Sequence, residues 1–179
     1  MKAQDILHFW FEKLTPKQHF VKDPALDATI RARFGDTLEA AARCELFAWR
    51  ATPQGRLAEI LVLDQFSRNV YRDTPRAFAQ DAQALVLAQE LVASTQDRSL
   101  SVAQRAFAYI PYMHSESALV HTQAVALFSQ PGLEDSLRFE LGHKAIIDRF
   151  GRYPHRNAIL GRASSAEELA FLSEPGSSF

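Results

Sequence analysis

Four arginines, a histidine and an asparagine crowd the stretch from Ile146 to Arg162, around one glycine and one proline that stop helices. Arginine carries five N–H donors in a flat fork that grips carboxylate or phosphate through two parallel bonds. Arg152, His155, Arg156 and Asn157 therefore read as a set able to hold an anion. A short helix opening at His155 would add its first backbone N–H groups to such a site. The competing reading is a polar knot that satisfies the backbone groups of a sharp corner.

A second group follows an apolar run. Arg68, Arg72 and Arg76 recur every four residues, which aligns them on one helix face. Pro75 breaks that continuity, so Arg68 and Arg72 are the firmer pair, either for an anionic ligand or for ion pairs with Asp64 and Asp73. Asn69 reads as a helix cap or as a ligand-positioning amide. His114 and Glu116 stand two apart in a turn after Pro111, where both can converge on one point. An imidazole of pKa near 6.5 beside a carboxylate is a workable acid–base pair. The alternative is a helix start that favours Glu116 through its dipole, with His114 bonded structurally. Glu140 and His143 have the i, i+3 spacing of half a di-iron site, but no second such pair exists, so no metal is assigned. His121 and His143 can reach the same cleft from neighbouring helices. There is no Gly-rich phosphate loop, no G-x-S-x-G elbow and no H-E-x-x-H, and no cofactor is implied.

These residues must be positioned by helices. Apolar residues recur at helical spacing almost throughout, and no segment alternates as a strand does. Ile6, Leu7, Trp10, Phe11 and Leu14 form one stripe, with Phe9, Trp10 and Phe11 expected in the core. Asp23-Pro24 and Thr52-Pro53 are cap-then-proline starts. The first opens a helix that Gly35-Asp36 is expected to break, with helix resuming over Leu38 to Trp49. The second leads into Leu57 to Leu63, apolar at nearly every position and expected to be central. A helix from Asp81 to about Ser94 turns Leu85, Ala88, Leu91 and Val92 inward. Ser101 to Gln104 is a capping box, and Pro111 is expected to interrupt the helix it opens. Ser115 or Ser117 caps the next. The last long helix ends at Gly151, and Tyr153, preceding Pro154, is pushed out of helical geometry. Ser164 to Glu167 reads as a second capping box, and Ser173 to Phe179 as a loose tail.

At 179 residues the chain suits one all-α domain of eight or more helices, 1–179, able to bury a core without disulfide or metal. A formal net charge of −1 gives no field for nucleic acid or anionic membrane. Cys44 is the lone cysteine, the N-terminal stretch lacks a cleavage site, and no apolar run spans a bilayer, so a cytoplasmic setting is expected.

Three blocks, Leu63 to Arg72 (LDQFSRNVYR), Tyr112 to Glu116 (YMHSE) and Arg149 to Asn157 (RFGRYPHRN), together with the opening Phe9-Trp10-Phe11, resemble the bacterial family called domain of unknown function 924. The resemblance spans nearly the whole chain. It implies a tetratricopeptide-like, all-helical fold and no particular reaction. Ser67 departs from the proline expected in many members, which leaves the shape of the turn after Phe66 open. Two functions fit. One is a cleft for a small anionic ligand, held by Arg68, Asn69, Arg72, Arg152, His155, Arg156 and Asn157, with His114 and Glu116 as acid–base residues. The other is a tetratricopeptide-like module for an acidic peptide.

Overall fold

A computed structural model describes residues 1–177 and is helical, with no strand among them. The α-helices are α1 (Ala3–His8), α2 (Pro24–Ala42), α3 (Pro53–Leu61), α4 (Ser67–Val70), α5 (Asp81–Ala93), α6 (Val102–Met113), α7 (Ala118–Phe128), α8 (Glu134–Phe150) and α9 (Ala166–Leu172). The caps follow the sequence at most starts. Asp23 accepts from the N–H groups of Ala25 and Leu26, Thr52 from Gly55, and Ser101 from Gln104. The last box is one residue later than its sequence suggests: Ser165 caps Glu168, and Glu168 returns the bond. Ser117 stands at the cap position of α7 without a side-chain cap bond, while Ser115 Oγ accepts from its N–H.

Two helices widen into π-turns, at Phe9–Lys13 after α1 and at Val62–Phe66 between α3 and α4. The wider turns let aromatic rings interlock: Phe66 lies 5.1 Å from Phe34, 5.7 Å from Trp10 and 6.2 Å from Phe9. Trp10 and Phe9 are buried and Phe11 packs on Phe107, as the opening stripe requires. Leu57 to Leu63 is wholly buried, and α3 packs against α1, α5 and α6. Gly55 permits a further contact of α3, with the 3-10 turn Phe47–Ala51, because a Cβ there would sit 2.0 Å from the Trp49 carbonyl oxygen.

Three expectations are corrected. Gly35-Asp36 does not break α2, which runs unbroken to Ala42. One helical glycine costs about 1 kcal/mol, and the buried face of Ile30, Phe34, Leu38 and Ala41 more than offsets it. Helix does not resume to Trp49 either, since Cys44 turns at φ 60 and leads to a 3-10 turn at Phe47–Ala51. Pro111 lies inside α6. It stands in the last turn, where it removes a single ladder bond close to the helix end and keeps its own ring buried. The inner face of α5 also differs in part: Ala84, Leu87, Ala88 and Leu91 are buried, and Leu85 and Val92 only partly so.

At the C-terminal end, Gly151 caps α8 at φ 69, and Tyr153 leaves it extended at φ −89, ψ 107. A 3-10 turn, Pro154–Arg156, follows. Tyr153 joins Ile146 and Ile147 in a small second core, while Phe150 packs on Phe171 of α9, the rings tilted and 5.1 Å apart. Of the expected loose tail, Ser177 is buried and donates to the Leu172 carbonyl; Ser178 and Phe179 lie outside the described residues.

The left-handed cap supports a direct test. Gly151→Ala meets no neighbouring atom, so its cost is conformational alone, about 1–2 kcal/mol. Urea unfolding should show that loss with an unchanged m-value.

Candidate functional site

Most of the arginines singled out in the sequence are committed to carboxylates. Arg72 grips Asp27 of α2 through two bonds, at 2.7 and 2.9 Å, and Asn69 donates to the same carboxylate at 2.7 Å. Both tie α4 to α2, and neither caps a helix or reaches a cleft. Asp73 pairs with Lys22, and Arg76 with Glu39. Arg152 holds Glu168 through two bonds and so fastens α9 to the corner after α8. Asn157 is fully buried, donates to Ser164 Oγ and accepts from Arg162 Nε, which makes it part of the corner's internal bonding.

His114, Glu116, Arg156 and Arg68 do come together. They meet where the π-turn, the start of α5, the corner between α6 and α7, and the turn at 154–156 converge. A cleft of about 400 Å³ opens here, walled by Phe78, Leu85 and Pro111 and edged by Asp81, His114, Glu116 and Arg156.

The carboxylate serving His114 is Asp64, not Glu116. His114 Nδ1 lies 2.7 Å from Asp64 Oδ1, although the two are 50 positions apart in the chain. The π-turn directs Asp64 inward among Val62, Leu63 and Phe66, where it is buried. Burial alone would raise its pKa, but Arg68 and His114 beside it hold the carboxyl far below the usual range. Burial, helped by Arg68, lowers the pKa of His114 against the opposing pull of Asp64. At neutral pH the ring is uncharged and Asp64 is ionised, so Nδ1 carries the proton and donates it to Asp64. Nε2 then holds the lone pair. Among the described residues no group hydrogen-bonds it.

Glu116 is held otherwise. It accepts the Tyr153 N–H at 2.8 Å and a fork from Arg162 at 2.6 and 2.9 Å. Burial acts against its ionisation, yet Arg162 and the Tyr153 N–H outweigh it and lower its pKa. It stays a carboxylate that locks the corner to the last segment.

Arg68 grips Asp81 through two bonds, at 2.9 and 3.0 Å, and lies 3.2 Å from Asp64. Arg156 is different. It is buried, with its guanidinium between the rings of Tyr153 at 4.6 Å and Phe78 at 4.7 Å. It makes a long bond of 3.3 Å to Asp81 and one of 3.1 Å to the His114 carbonyl, and its Nε is without a partner. Burial, then repulsion by Arg68, lowers its pKa. A buried cation with more donors than acceptors, at a cleft wall, is suited to an incoming acceptor.

His155 packs against Tyr153 at 5.5 Å, and burial lowers its pKa to about 4. Glu140 is turned to His121, and His143 Nδ1 faces the Phe139 carbonyl. Among the described residues no group of three or more has metal-holding geometry.

Asp81, Arg162 and Tyr153 are the site residues that spacing missed. Asp64 is expected as an ion-pair partner of Arg68, which it is at 3.2 Å, but not as the carboxylate of His114.

The chain matches the family described as a bacterial protein of unknown function, DUF924, over residues 6–176. It is similar to the solved structure of a protein of unknown function from Agrobacterium tumefaciens, with 38% identity and a TM-score of 0.91 over 96% of both chains. No curated protein matches it.

The histidine shifts fix a pH dependence. His114, His143 and His155 titrate lower when folded than an unfolded histidine near 6.5, with His143 near 3 and His155 near 4. The unfolded chain therefore binds more protons as pH falls through 6.5, and stability present above that pH is lost below it. Urea midpoints should fall steadily from pH 7 to pH 4.5. In the folded protein, Asp64→Asn should lower the His114 pKa further, because it removes a carboxylate that raises it; NMR titration of the ring reads this.

Proposed function

We propose that this chain, which belongs to the DUF924 family of bacterial proteins, binds a small molecule in the cleft beside His114. Arg156 anchors an anionic group, carboxylate or phosphate, and His114 acts as a general base. The observation that carries this reading is the arrangement of His114 itself. Its Nδ1 is tied to a buried carboxylate, which leaves Nε2 with the lone pair on a residue that lines a cleft also presenting an under-satisfied arginine.

The chemistry follows from those positions. Asp64 fixes the tautomer and steadies the imidazolium that forms when Nε2 takes a proton from the ligand. Such a base is worth roughly 10²–10⁴ in rate. Arg156 supplies charge from a buried position, where one guanidinium contact counts for more than at the surface. Phe78, Leu85 and Pro111 give the ligand an apolar wall. Arg68 and Glu116 hold the frame and do not act as acid or base. Residues Asn69, Arg72, Arg152 and Asn157 stabilise the scaffold through their carboxylate and corner bonds. No helix among the described residues is long and apolar enough to cross a membrane. A free, exposed Cys44 suits a reducing, cytoplasmic setting.

A second reading is a tetratricopeptide-like module that takes a peptide. It is favoured by a separate hollow of about 470 Å³ with a mostly apolar lining, Val92, Ala93, Tyr112, Ala126 and Leu127 beside Gln89 and Gln123, formed by α5, α6 and α7. Histidine and arginine are absent from that lining, so it accounts for none of the polar site.

Native mass spectrometry of gently purified protein separates the two. A discrete small added mass is expected on the wild type and on Arg72→Lys, whose site lies against Asp27, with a loss of at least tenfold on Arg156→Lys. A bare wild type, or an adduct retained by Arg156→Lys, rejects Arg156 as the anchor. Peptide co-purifying instead would favour the second reading.

A further inference from the structure

Beneath the cleft lies a buried chain of polar groups that the proposed chemistry does not use. His121 of α7 and Glu140 of α8 are both fully buried, with Nδ1 2.7 Å from Oε1. The other ring nitrogen, Nε2, lies 2.8 Å from the Ser115 carbonyl oxygen and 3.2 Å from the Tyr153 hydroxyl. That hydroxyl has one hydrogen, which it donates to the Met113 carbonyl at 2.5 Å. We infer that His121 and Glu140 hold one proton between them and act as a positioning pair, fixing the Ser115 carbonyl and with it His114 and Glu116.

The proton count is set by the partner facing each atom. A backbone carbonyl can only accept, and the tyrosine hydrogen is already given away, so Nε2 must carry a hydrogen. Nδ1 then faces a carboxyl oxygen at hydrogen-bond distance, and that contact needs a second proton, on the nitrogen or on the oxygen. The pair thus carries one proton more than a neutral imidazole plus a carboxylate. Glu140 Oε2 is buried without a partner, which an isolated carboxylate charge would make costly and a pair without net charge tolerates. Burial raises the pKa of Glu140, in the same sense.

Of the neighbouring charges, Lys144 favours the ionised form of Glu140, and burial outweighs it. On α8, His143 is held neutral by burial, and Lys144 reaches outward to Asp148. On the last segment, burial keeps Tyr153 un-ionised and His155 neutral. At the corner, His114 is neutral and Glu116 is balanced by Arg162. The pair therefore keeps its proton at pH values where an unfolded histidine has lost its own.

The positioning role rests on His114 as the base; the shared proton does not. Folding above pH 6.5 must then take up one proton. Native protein binds more than unfolded protein in that range, so stability falls as pH rises, tenfold in the folding equilibrium for each pH unit. Glu140→Gln keeps the shape but leaves His121 neutral, which removes that slope above 6.5 and adds one below it. The other histidines cancel in the difference.

Urea unfolding of wild type and Glu140→Gln from pH 5 to pH 9 reads this directly. The log ratio of their folding constants should change by one unit per pH unit through the whole range. Parallel curves overturn the shared proton. Refolding the wild type in a pH-stat at pH 8 gives the same count without a variant, one proton taken up per chain, and no uptake overturns it. For the positioning role, the NMR titration of His114 should shift in folded His121→Ala, which releases the Ser115 carbonyl, and an unmoved titration overturns that role. A wild type without a small-molecule adduct would sink the cleft reading while leaving the proton count standing.

Discussion

A carboxylate placed in an apolar interior is unfavourable by several kcal/mol unless cations and donors meet it there. Asp64 sets that condition for this molecule. It sits at the end of the central helix run, buried, and it is met by His114 at 2.7 Å, by Gln65 at 2.6 Å and by Arg68 at 3.2 Å. Arg68 in turn takes up Asp81 at the start of α5, and Asp81 takes the long bond from Arg156. One buried charge thereby fixes the relative placement of α4, α5, the corner after α6 and the last polar segment. A mismatch at any link would leave a charge bare, so the convergence is closely specified.

The π-turn is the local device that makes this possible. One extra residue in the turn rotates the helix beyond it. Asp64 faces inward with Val62, Leu63 and Phe66, and α4 resumes, with Arg72 just beyond its end facing Asp27. Ser67 continues the helix, so the turn whose shape its presence left open is helical. A similar widening after α1 admits Trp10 and Phe9 against Phe66. Polar geometry and aromatic packing are thus set by the same irregularity, in keeping with the tendency of π-turns to mark functional places in helices.

Arginine abundance did not itself mark the site. Arg72 and Arg152 hold Asp27 and Glu168 in forks as complete as any ligand would receive. What distinguishes Arg156 is that its donors outnumber its acceptors in a buried place. The difference lies in the surroundings of each guanidinium and not in its sequence neighbours.

Much of the framework was written in the chain. Helical periodicity gave the all-α class, Asp-Pro and Thr-Pro pairs gave the starts of α2 and α3, and Gly151 with Tyr153-Pro154 gave the end of α8 and the corner. These features depend on residues within about one helical turn, so sequence spacing is enough to state them. The run through Gly35, the place of Pro111 in α6 and the partners of most site residues, the i, i+4 pair of Arg68 with Asp64 apart, were not readable in this way. Each depends on burial or on contacts such as His114 with Asp64, 50 residues apart, and Arg156 with Asp81, 75 apart. Only the packed structure decides which carboxylate meets which cation, because the energy of a buried charge is set by everything that surrounds it in space.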